Sequence, residues 1–183
     1  MPKSNAKTLN VNIRFTRPSA LAKIVRRTSG EREERRGMLS LQEMRECYDK
    51  NEIRAEDFPA EQNEELIRQI EKMAKTDSET AVSNLYIMTR IVCRYGIYEN
   101  IARMIGACDL LLLEVKDPVG LGSLYSSLSM LYLSYGFLPK TVEYGLKFQT
   151  VAEESLDKAS IVYNVMSVAL NEMGFCERAK CYC

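Results

Sequence analysis

The chain has 183 residues, with 25 basic side chains balanced by 25 acidic ones and no histidine. Its 46% hydrophobic and 27% charged content excludes global disorder, and the length suits one compact domain or a short repeat array. Without imidazole there is no Ser-His or Cys-His dyad and no histidine metal site, and the apolar run at 110–115 is far short of the ~20 residues of a membrane span.

The charges are not evenly spread. Residues 1–30 carry seven basic groups and no acid, whereas residues 37–183 carry a net charge of −7. A basic arm thus precedes an acidic body. Pro2, Pro18, Gly30 and Gly37 interrupt the arm, and only residues 20–27 have helical spacing, through Leu21, Ile24 and Val25. Residues 1–37 are expected to be a disordered tail. A mitochondrial presequence is the alternative, because the segment is basic, acid-free and contains several Ser and Thr residues. Nucleic-acid contact would come only through these charges, in residues 1–30. The six cysteines follow no secretory signal, so the expectation is a reducing cytoplasm with free thiols.

Residues 38–75 read as two helices forming a cap. Ser40 and Glu43 have the spacing of a capping box, Pro59 breaks the pattern, and Leu66, Ile70 and Met73 resume it. From residue 76 onward the helical period dominates. Thr76 and Glu79 match a second capping box, and Val82, Leu85, Met88, Val92 and Tyr95 share a face up to Gly96. Ile101, Met104, Cys108, Leu111 and Val115 mark the next helix, and residues 116–120 form a turn. One further helix runs to Gly136, another over 138–154, a third over 158–174, and a last one starts near Phe175. Gly96, Gly136 and Gly174, spaced by 40 and 38 residues, each close one helix and precede a partner. Repeated helix pairs at such spacing imply a stacked solenoid.

The repeat resembles the tetratricopeptide family over residues 82–183. Tyr125, Leu128, Ser129, Tyr132 and Gly136 fill its aromatic, Leu, small, Tyr and turn positions. Tyr163, Met166, Ser167, Leu170, Gly174 and Ala179 do so in the next unit, and Leu85, Met88, Thr89, Val92 and Gly96 in the first. The period exceeds the family's usual 34 residues, Trp is absent, and no unit has the helix-ending Pro. The expected fold is therefore all-α: a solenoid of three helical hairpins, right-handed and tetratricopeptide-like, at 76–183, preceded by the cap and the tail. The third unit stops about ten residues before a full hairpin. It reads as part of a longer protein or as an end covered by a partner.

The resemblance implies a non-catalytic scaffold that binds a protein or peptide in a concave groove lined by each first helix. It would place Tyr86, Arg90 and Arg94 there from the first unit, Ser126 and Met130 from the second, and Asn164 and Asn171 from the third. Tyr86, Arg90 and Arg94 follow at four-residue steps, so one helical strip carries two guanidiniums and a phenol able to hold a carboxylate or phosphate. No catalytic group, metal site or cofactor is expected. On a helix, Cys176, Cys181 and Cys183 do not converge, and Gly120-x-Gly122-Ser123 follows no strand and lacks the Walker Lys. Two other readings are a sensory or regulatory segment of a longer signalling protein, such as a diguanylate cyclase or transcription regulator, and an organelle-targeted scaffold. Self-association through the C-terminal hairpin is a further expectation.

Overall fold

A computed structural model of the chain describes residues 39–53 and 58–183. The basic tail, with its targeting and nucleic-acid readings, lies outside these residues. Among them every regular element is helical, so the fold is all-α.

The helices begin where local hydrogen bonding lets them. α1 (Leu41–Asp49) carries the capping box read from the sequence: the Glu43 backbone N–H donates to Ser40 Oγ, and the Ser40 N–H donates to the Glu43 carboxylate at 2.8 Å. These bonds hold the Glu43 carboxyl below its ordinary value. α2 (Ala60–Met73) starts directly after Pro59, and α3 (Ser78–Tyr95) follows a short turn. The α3 cap is Asp77, not Thr76. Asp77 Oδ1 accepts the Thr80 N–H at 3.0 Å, while the Thr76 hydroxyl donates backward to the Met73 carbonyl at 3.2 Å. A carboxylate at this position also favours the positive end of the helix dipole.

α4 (Ile101–Glu114) precedes α5 (Pro118–Tyr135), in which Asp117 caps the helix through the Gly120 N–H at 2.7 Å. Proline suits the first turn because its missing N–H has no intrahelical role there. The turn expected at 116–120 thus ends at Asp117, and Gly120 and Gly122 lie inside α5. α6 (Leu138–Gln149) is shorter than expected, being followed by a 3₁₀ turn, Ala152–Ser155. α7 (Leu156–Glu172) leads to α8 (Cys176–Ala179) and a final 3₁₀ turn, Lys180–Tyr182.

Three helix pairs have the same joint. Gly96, Gly136 and Gly174 take φ of +69°, +82° and +83°, the left-handed region where a side chain is strained. The residue after each glycine donates its N–H five residues back: Ile97 to Val92, Phe137 to Tyr132 and Phe175 to Leu170, at 2.8–3.1 Å. This Schellman geometry satisfies carbonyls that the helix end would leave free.

The pairs pile up in chain order. α3 packs on α5 and α5 on α7, while α4 and α6 each contact the first helix of the next pair. α1 and α2 both pack on α3, as a preceding pair would. Leu41, Met44, Phe58 and Leu66 join Leu85, Met88, Met104 and Leu128 in one buried cluster, so cap and hairpins share a core. Burial of each such side chain contributes roughly 1.5–3 kcal/mol before the cost of ordering it. Thr89, Ser129 and Ser167, the small residues of the repeat pattern, are all buried. Ser129 Oγ donates to the Thr141 carbonyl of the facing helix at 3.0 Å.

Candidate functional site

The successive first helices α3, α5 and α7 carry every residue singled out for the groove. At one end, Arg90 Nη1 donates to the Tyr86 hydroxyl at 3.2 Å, one helical turn away. Its guanidinium carbon lies 5.9 Å from the Tyr86 ring centroid. A second cation shares the ring: Lys158 of α7 places its ammonium 5.4 Å from the same centroid. The Lys158 side chain is 9% exposed, and Asp157 beside it accepts its hydrogen bond at 2.8 Å. The aliphatic stem of lysine is buried while the charged head stays near the ring.

Lys158 was not among the sequence candidates. In the sequence it is one charge at the start of a helix, and only the approach of α7 to α3 brings it to Tyr86. The approach depends on the small face of α5 between them. Gly122 lies so close to Ser155, at the start of α7, that an added methyl would collide with its side chain. Ser126, one turn after Gly122, is fully buried.

The other expected groove residues are divided. Arg94 does not join Tyr86 and Arg90. It stacks on Tyr95 at 5.5 Å and donates to Asn51 Oδ1 at 3.1 Å, on the connection after α1. Tyr95 anchors the same connection, its hydroxyl donating to the Ile53 carbonyl at 2.8 Å. Ser126 and Met130 are 0% and 6% exposed, so a ligand resting on this face reaches neither. Asn164 and Asn171 are exposed on α7. Tyr86, Arg90 and Lys158 therefore form one polar cluster, with the two asparagine amides on the last first helix.

Most tyrosines of the repeats are packing residues. Tyr132 and Tyr144 stack with ring planes 8° apart, Tyr125 tilts against Tyr144, and Tyr163 meets Phe148 and Tyr182. Lys147 and Lys140 lie over the Tyr144 ring at 4.5 and 5.8 Å. Desolvation pushes the Tyr144 phenol up to about 12. It likewise raises Cys93 to about 11, although Ser134 donates to that sulfur at 3.4 Å.

Among the described residues, no group of three or more Cys, Asp or Glu side chains is arranged to hold a metal ion. Cys181 Sγ donates to the Glu177 carbonyl, and Cys183 Sγ lies 2.9 Å from the Ser167 hydroxyl. No helix among the described residues is long and apolar enough to cross a membrane. No family model matches the chain, and neither a curated protein nor a solved structure matches it.

Proposed function

We propose that the chain is a non-catalytic scaffold that binds a protein or peptide on the face formed by α3, α5 and α7, as a tetratricopeptide-like right-handed array would. Three helix pairs with the same left-handed glycine joint support the array. The observation that carries the binding reading is the convergence of Arg90 and Lys158, from two different helices, on the Tyr86 ring. Arg90, half-buried beside the phenol and without an ion-pair partner among the described residues, suits an acidic group, a carboxylate or a phosphate, on the bound segment, while Lys158, nearly buried and paired with Asp157, fixes the ring they share. Asn164 and Asn171 add amides that hydrogen-bond an extended backbone. Stacked helices hold these groups in place before binding, so little ordering entropy is lost on docking. A cytoplasmic location, where thiols stay reduced, belongs to the same reading.

The test is affinity capture followed by mass spectrometry, with the wild type compared with Arg90→Glu. Proteins recovered by the wild type should be lost from the variant while its far-UV circular dichroism is unchanged. Recovery of the same proteins by both would overturn the reading.

A further inference from the structure

α2 and α4 run side by side in the same direction, tied together through the first turn of α4. Asn100 Nδ2 donates to the Ala60 carbonyl at 2.9 Å, and Arg103 bridges Glu64 at 3.0 Å and Glu71 at 3.1 Å. Towards their C-terminal ends a cleft of about 330 Å³ opens between them. Its walls include Ile70 of α2, Ala74 just after that helix, and Ala107 and Leu111 of α4. Leu110 and Leu113, one turn apart on α4, stand at its lip, 56% and 70% exposed. A single exposed leucine is ordinary, but a pair at i, i+3 beside an apolar cleft is a surface built for contact.

We propose that this cleft receives a second copy of the chain, in a two-fold dimer in which Leu110 and Leu113 of each copy enter the cleft of the other. The surface carries knob and hole together, as an isologous interface requires. Its charges complement themselves in the same way. Lys75, in the turn after α2, lines one wall and Glu114 of α4 the other, and neither has an ion-pair partner among the described residues. A two-fold axis that sets α4 of one copy against α2 of the other brings Lys75 opposite Glu114 twice. An unrelated partner would have to supply both charges in that order; a second copy supplies them through symmetry. Because that axis runs along the helices, the result is a parallel bundle of four helices, two from each copy. The C-terminal hairpin, where self-association was expected from the sequence, offers less. α8 is four residues long, and Arg178 lies over the ring of Phe175. The dimer does not depend on the binding face of α3, α5 and α7.

Sedimentation velocity on the full chain over a range of concentrations tests it. The mass should rise from 20.9 kDa towards twice that value. Leu113→Glu, at a position too exposed to unsettle the core, should stay monomeric with unchanged helicity and melting temperature. Lys75→Glu and Glu114→Lys should each weaken dimerisation by about tenfold, and the two together should restore it. A wild type that remains at 20.9 kDa throughout, a dimer that survives Leu113→Glu, or a double variant no better than the single ones would each overturn the proposal.

Discussion

Tyr132 of α5 and Tyr144 of α6 stack almost in parallel, with centroids 5.6 Å apart. The contact joins the two helices of the middle pair, and Phe137, at the turn between them, meets the Tyr132 ring edge-on. Packing at this density favours the neutral phenol over the phenolate.

Alkaline stability should follow from this pair. Desolvation lifts the Tyr144 phenol from its ordinary 10.0 to about 12, and Tyr132 is raised as well. A raised folded-state value means that the contribution is whole below pH 10.0 and is lost as the pH climbs towards 12. Urea midpoints measured on either side of pH 10.0 should fall more steeply for the wild type than for Tyr144→Phe. Equal slopes would show that the phenol does not titrate against the fold.

Gly136 isolates the cost of a backbone conformation. Its φ is +82°, and none of the described residues lies within 4 Å of where a Cβ would stand. Gly136→Ala should therefore lose about 1 kcal/mol through the left-handed strain alone, a drop of roughly 2–4 °C in Tm. Gly136→Asn should lose less, because Asn tolerates this region better. Thermal unfolding followed by circular dichroism distinguishes the two.

Gly122 makes the opposite case. It lies in a helix, where alanine is favoured by about 1 kcal/mol. Its neighbour is Ser155, so the added methyl has no room. Overpacking costs roughly 1–3 kcal/mol. Gly122→Ala should consequently destabilise despite its better propensity, and Gly122→Ala/Ser155→Gly should recover much of the loss in the same thermal assay.

Ser126 carries a buried hydroxyl with no hydrogen-bond partner among the described residues. Replacing it with Ala removes a desolvated polar group, and stability should rise by up to about 1 kcal/mol. Capture of partners should be unchanged, since the side chain faces packing and not solvent. A variant that keeps its fold but loses its partners would restore Ser126 to the binding face.

Local chemistry was readable in the sequence wherever a few adjacent residues decide the outcome. Ser40 with Glu43, and each of Gly96, Gly136 and Gly174, set helix ends through bonds to their own neighbourhood. Thr76 misled because two good capping residues stand side by side, and the carboxylate of Asp77 takes the role. Residues whose role depends on another helix were hidden. Lys158 meets Tyr86 across 72 positions of sequence. Arg94 kept its periodic place on α3 but was drawn away by Asn51. Ser126 and Met130 also kept their places, yet the close approach of helices over Gly122 buries that side of α5. Helical period tells which residues share a face; it does not tell how much room the next helix leaves above it.

The anchoring of residues 51–53 by Arg94 and Tyr95 bears on any attempt to excise the hairpins as a fragment. A cut at residue 76 follows the repeat pattern but strips the hydrophobic floor from under α3 and removes the acceptor of the Tyr95 hydroxyl. The smallest autonomous piece therefore starts at or before Leu39, whose backbone is clasped by the Gln62 amide. Shorter versions should be recovered as aggregates, however faithfully their ends respect the glycine spacing.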